Sequence, residues 1–216
     1  MKIRALTYGL SLCASDFAVE NHDALRARFD AVTKNIESIS AKLVADSYEV
    51  QTVRLSLNRI EDWLVLSTIE TQLSLLSELL EKCSRVCIVA LGCCTTQAYI
   101  EVVPKLLAFN QKFSCSALIP SSADDGAYTL PDTSICVAAA RACLQLSTVG
   151  DCENFRFCIG FNVAEGTPFF PVSYYHRYVL LCVLLLHSCM LTELIVAIMH
   201  MQMESLLDWR MVISCS

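Results

Sequence analysis

Residues 85–92 read RVCIVALG. After Arg85 the run is apolar or small throughout, with Val86, Ile88 and Val89 β-branched. A strand covered on both faces has no polar alternation, and such continuous runs mark parallel sheets flanked by helices. Working outward, Phe113–Ile119 (FSCSALI) has the same character. Three further strands are predicted at Ile3–Leu12, Tyr48–Leu57 and Asn154–Val163. In Tyr48–Leu57 the β-formers Val50, Val53 and Leu55 are interleaved with polar residues.

Between these strands the apolar period changes to that of a helix. Phe29, Val32, Ile36, Ile39 and Leu43 recur at spacings of three and four, which places them on one stripe. Leu73, Leu76, Leu79 and Leu80 repeat the pattern. A third helix is predicted over Gln97–Gln111, starting late or kinking at Pro104. The fourth runs over Asp132–Leu146, with a cap candidate just after Pro131. Five strands alternating with four helices predict βαβ units: an α/β fold with a mainly parallel five-stranded sheet.

Composition narrows the function classes. A formal charge of −6 with no basic stripe leaves nothing to neutralise phosphates, so no nucleic-acid partner is expected. A chain of 216 residues buries roughly 70% of its unfolded surface, enough for a core without metals or disulfides. Its thirteen cysteines lie largely inside strand-like and helix-like stretches, as Cys87, Cys115 and Cys158 do. Buried thiols there act as small hydrophobes, which implies a reducing, cytoplasmic compartment. The start MKIRALTYGLSLCAS has a basic edge, but Thr7, Gly9 and Ser11 interrupt it at every second residue. That is strand alternation and not a signal peptide.

After His176 the composition changes. Tyr178–Met199 reads YVLLCVLLLHSCMLTELIVAIM, with Glu193 its one acid and no proline. Leu and Met favour a helix over residues 178–199, and the length permits a membrane span. No basic cluster follows to orient one. The expected organisation is an α/β domain over residues 1–176 and an anomalous hydrophobic tail over 177–216. A membrane partner is conceivable only through 178–199.

No motif specifies a reaction. Leu91–Thr96 joins a strand to a helix, and its amides could meet an anion at a helix N-terminus. It lacks the glycine spacing of a nucleotide loop, and a plain turn is the alternative. Cys93-Cys94 lacks the two-residue spacer of a redox pair. His22, His176, His187 and His200 share no ligand spacing, so neither a metal nor another cofactor is expected. The segment richest in chemistry is NFRFCIGFNVAEGTPFFPVSYYH, residues 154–176. Ligands of parallel α/β folds collect at the carboxyl ends of strands. Arg156 could hold an anion, Asn162 could add hydrogen bonds, and His176 could act as acid or base. The competing reading is a packed loop with Phe169 and Phe170 inside and His176 exposed. Arg54 and Asn58 form a second constellation, against a reading as an outward strand residue and a helix cap.

MKIRALTYGLSL, YEVQTVRLSLNRIEDWL, GDCENFRFCIGFN and GTPFFPVSYYH together resemble the domain-of-unknown-function 711 family over residues 1–176. The resemblance implies a barrel related to the ten-stranded α/β barrel of pyruvate formate-lyase-like enzymes, with these five strands as one half. It implies relatives longer than this chain, which would make the present one truncated and inactive by itself. The family has no settled reaction, and the chain offers no glycyl-radical loop. The sequence departs from the family after His176, and a shifted reading frame or intron read-through accounts for that. A genuine membrane segment and a buried helix are the alternatives.

The expected function is therefore a fragment of an enzyme-like α/β barrel. Its small-molecule ligand is expected to meet Arg54, Asn58, Arg156 and Asn162, with His176 the candidate catalytic group. The rival readings are a non-catalytic, membrane-tethered or self-associating module using residues 178–199, and a binding domain without turnover.

Overall fold

A computed structural model describes residues 2–119, 132–150, 153–161, 163, 171–172, 180–186 and 209–215. In chain order the elements are β1 (Lys2–Leu10), α1 (His22–Ala45), β2 (Glu49–Val50), β3 (Val53–Leu57), α2 (Ile60–Trp63), α3 (Ile69–Lys82) and β4 (Val86–Cys94). There follow α4 (Gln97–Glu101), α5 (Val103–Phe109), β5 (Phe113–Ile119), α6 (Thr133–Ser147), β6 (Phe157–Phe161), β7 (Leu180–Leu186) and β8 (Trp209–Cys215). One sheet runs in the order β6-β5-β4-β3-β1-β7-β8, with β2 also paired to β1. Strands β1 to β6 are all parallel and form a curled sheet.

The expected second strand is two. Tyr48–Leu57 breaks at Gln51-Thr52, although its register against β1 is continuous, with Ile3 opposite Val50 and Leu6 opposite Val53. Gln51 N–H donates to the Ile3 carbonyl at 2.9 Å, and Thr52 Oγ1 donates to that of Arg4 at 2.6 Å. The interruption does not detach the segment, because both halves pair with β1 in the same register. The parallel part thus holds six strands, not five, in five lateral positions.

The larger correction concerns the helix expected over residues 178–199. Leu180–Leu186 is strand β7, antiparallel to β1, with Leu6 opposite Leu184 and Tyr8 opposite Cys182. An apolar run fits a buried strand as well as a helix. Edge strand β1 would otherwise carry a row of unpaired N–H and C=O groups, and pairing them decides the matter. Strand β8 then adds in parallel to β7. Residues 187–199 lie outside the described residues. Among the described residues no helix is long and apolar enough to cross a membrane.

The helices follow their sequence signals closely. In α1 the stripe Leu25, Phe29, Val32, Ile36, Ser40 and Leu43 is buried, while Ile39 is only partly so. The third predicted helix breaks at Val102, and α5 carries Pro104 in its first turn, where the missing N–H costs nothing. Asp132 caps α6, accepting from Ser134 N–H at 2.7 Å and Ile135 N–H at 3.4 Å.

Side chains alternate along each strand, so the sheet has two distinct faces. Leu6, Tyr8, Val53, Leu55, Leu57, Val89, Phe113, Cys115 and Ala117 join the helices in one apolar core. The opposite, inner face carries Thr7, Ser56, Ala90, Cys93, Ser114, Ser116 and Leu118, in matching register. All of these are buried, yet most are small or polar. On that face Cys93 and Leu118 form a second, smaller cluster with Val163 and Val172.

Candidate functional site

The carboxyl ends of β1, β3 and β4 are tied together by one short stretch, Asn58–Trp63. Asn58 is 5% exposed and reaches across to the turn after β1. Its Oδ1 accepts from Leu12 N–H at 2.8 Å, and its Nδ2 donates to the Leu12 carbonyl at 2.9 Å. Nδ2 also lies 3.3 Å from Asp62 Oδ2 as a donor. On its other side Asn58 abuts Gly92 of β4, which has φ +104° at the register shift between Ala90 and Cys93. Only glycine adopts that backbone geometry readily. The turn after β1 is held by Arg28, which pairs with Asp16 at 2.8 Å and donates to the Ser11 carbonyl.

Glu61 closes the next gap. Its Oε1 accepts from Thr95 N–H at 2.5 Å and Thr96 N–H at 3.1 Å, with both threonine hydroxyls within 3.4 Å. The turn after Gly92 does meet an anion, and the anion is the protein's own carboxylate. Glu61 Oε2 is buried with no hydrogen-bond partner among the described residues. Beside it Arg59 donates from Nη2 to Asp62 Oδ1 at 3.0 Å, which holds the guanidinium charged. Arg59 Nε is likewise buried without a partner. Trp63 anchors the stretch from below: its ring stacks on Phe17 at 5.7 Å, and its Nε1 donates to the Leu91 carbonyl at 3.3 Å. Gln72 braces the far end, donating to the Trp63 carbonyl at 3.1 Å and accepting from Val65 N–H at 2.7 Å.

Beneath this rim the inner face presents sulfur and hydroxyl groups. Cys93, Ser116 and Cys158 stand side by side on β4, β5 and β6. Burial pushes the Cys93 thiol up to about 12, with Glu61 adding to the effect. Burial pushes Cys158 up to about 11, helped by Cys115 and Cys143. Both are neutral thiols at physiological pH, unsuited to act as thiolate nucleophiles. Ser116 is fully buried, and its Oγ has no partner among the described residues. An unmet buried hydroxyl costs about 1–3 kcal/mol, so a ligand that supplies a partner would recover that cost.

The residues expected from sequence divide. Asn58 is at the carboxyl edge as expected, but it is not the cap of α2, whose cap position is Arg59. Arg54 is the second residue of β3, on the inner face, about 13 Å below Asn58 at strand rise. Burial lowers its pKa, and the like charge of Arg4 adds to that. Arg156 precedes β6 and so lies at the amino edge, away from Asn58. Its Nη1 donates to the carbonyls of Leu107, Asn110 and Phe113 at 2.9, 3.1 and 3.1 Å, and its Nη2 pairs with Glu153. It clamps the end of α5 to the start of β5. Asn162 and His176 lie outside the described residues.

Sequence reasoning missed Arg59, Glu61 and Asp62. The available signal was NRIEDW, residues 58–63, which places five hydrogen-bonding side chains within six positions directly after a strand. Among the described residues no group of His, Cys, Asp and Glu side chains could hold a metal ion.

A family model described as "Uncharacterised ACR (DUF711)" matches residues 1–187, a span that includes β7. No curated protein matches the chain.

Proposed function

The chain belongs to the uncharacterised DUF711 family, and from that premise we propose that it is an enzyme-like α/β barrel segment binding a small carboxylic acid at the carboxyl edge of its parallel sheet. One observation carries the reading. Three successive strand-to-helix turns are pinned to one another by Asn58 and Glu61, and beside them Arg59 Nε–H is buried without a partner. A rigid, polar rim at this edge of a parallel sheet is where such folds hold ligands. Arginine is the donor suited to a carboxylate, with Nε and the remaining Nη hydrogens forming the fork. Asp62 fixes that fork in place.

The same reading takes the five lateral strand positions as half the wall of a ten-stranded barrel. The curled parallel sheet, with helices against one face and small polar residues on the other, supports it. Nine free cysteines among the described residues support a reducing, cytoplasmic setting.

Thermal denaturation in the presence of short hydroxy, keto and amino acids tests the site. A ligand that binds only the folded state raises Tm with its concentration. The expected result is a concentration-dependent rise in the wild type that is lost in Arg59→Ala. No rise with any of these acids, or the same rise in Arg59→Ala, would overturn the reading.

A further inference from the structure

Three residues on the inner face form a row that the rim does not use. Cys93 pairs in register with Ser116, and Ser116 with Cys158, so the three side chains project together from neighbouring strands. Strands stand about 4.8 Å apart, which leaves one thiol on each side of a central hydroxyl. The flanking residues of β5, Cys115 and Ala117, belong to the helix-facing core, so Ser116 points the other way. Leu118, one pleat further on, packs with Cys93, Val163 and Val172, which fixes the same orientation independently.

Ser116 is 0% exposed, and its hydroxyl meets no donor or acceptor among the described residues. Neighbouring Ser114 differs, since its Oγ donates to the Val89 carbonyl at 3.2 Å. An unpaired hydroxyl at full burial is uncommon and calls for an explanation, a missing partner being the simplest. Arg59, Glu61 and Asp62, all in the turn above the row, each act on the Cys93 end of it. Arg54, on the same face, lies further toward the amino edge, so the row itself offers uncharged donors and acceptors beneath a charged rim.

We infer that Ser116 is a specificity-determining residue that hydrogen-bonds an uncharged oxygen, a hydroxyl or carbonyl, of a short acid whose carboxylate lies on Arg59. The inference rests on the carboxylate site proposed above and adds the chemistry of the ligand's other end. A charged group at that end is excluded by position: a neutral hydroxyl between two neutral thiols compensates neither sign of charge.

Titration calorimetry on the full chain separates the two readings, with 3-hydroxybutyrate and its deoxy analogue butyrate as probes. The wild type is expected to prefer the hydroxy acid by about tenfold, the effect of one hydrogen bond. Ser116→Ala should remove that preference and leave butyrate binding unchanged. Its own Tm without ligand should hold or rise, because the variant deletes an unpaired buried hydroxyl, whereas a structural serine would lower it. Ser116→Cys provides a second variant of similar volume, with the same loss of preference expected. If both acids bind through Arg59 with no hydroxyl preference, or if the preference survives in Ser116→Ala, this inference fails and the carboxylate site stands. If neither acid binds, or Arg59→Ala leaves both unaffected, the carboxylate site fails and takes this inference with it.

Discussion

The carbonyl oxygen of Asn58 stands 1.8 Å from the point that a β-carbon on Gly92 would occupy. Strands β3 and β4 therefore meet at the carboxyl edge backbone to backbone. Neither atom set can yield, because Asn58 is also held by Leu12 and Gly92 sits at φ +104°. Gly92→Ala is expected to cost about 4 kcal/mol or more, from the clash together with the strained backbone. Gly160→Ala is the control. Its β-carbon would meet only side-chain ends, Val163 Cγ2 at 2.7 Å and Leu118 Cδ2 at 2.8 Å. Overpacking of that kind costs about 1–3 kcal/mol. Urea denaturation of both variants should rank them in that order, and equal losses would refute the backbone argument.

Asn58 supplies both a donor and an acceptor to the buried backbone of Leu12. Asn58→Ala leaves that N–H and C=O unmet, and a loss of about 2–4 kcal/mol is expected. Asn58→Asp is the more instructive variant. It keeps the acceptor but turns a carboxylate toward the Leu12 carbonyl and Asp62. Its folded-state carboxyl pKa must rise, so its stability should improve as pH falls from 7 toward 4. A pH-independent loss in Asn58→Asp would contradict the assigned hydrogen bonds.

Arg156 acts on the amino edge, where one guanidinium nitrogen serves three carbonyls. Arg156→Ala should lower stability by about 1.5–3 kcal/mol, the range for charge-assisted bonds. Arg156→Lys should recover little, since an ammonium lacks the planar fork. Ligand affinity measured well below each variant's Tm should match the wild type. A selective loss of affinity at unchanged stability would return Arg156 to the binding site.

The raised thiols predict alkaline sensitivity. The folded pKa values of Cys93, about 12, and Cys158, about 11, exceed the ordinary thiol value of 9.0. Above that ordinary value the unfolded chain loses protons that the folded chain keeps. The stabilisation is thus complete below about pH 8.5 and is lost as pH rises toward 11 and 12. Denaturation midpoints should fall over that window, and less so in Cys93→Ala/Cys158→Ala. Iodoacetamide labelling at pH 8, read by peptide mass, should modify exposed Cys87 well before Cys93 or Cys158. Equal labelling rates would rule out the buried row.

RVCIVALG and FSCSALI are strands on sequence alone, because a short run of apolar and small residues bounded by polar ones has few other places to go. The four-helix alternation, the break near Pro104 and the Asp132 cap were equally legible, since each depends on residues within a few positions. Those local signals determined the α/β class and the parallel direction of the strands, and the strand order came only with the structure. Leu180–Leu186 shows where they stop. Its composition suits helix and strand alike, and the unpaired edge of β1, nearly the whole chain away, decided for strand. Arg156 is chemically the same arginine whether it binds a ligand or clamps carbonyls. Only the point at which β6 begins put it on the amino edge. The candidate site joins Leu12, Asn58, Glu61, Thr95 and Ser116 from four different strands or their turns. Contacts between residues 23 to 46 positions apart leave no periodicity in the sequence. Parallel pairing in register, which only the folded sheet establishes, is what brings them together.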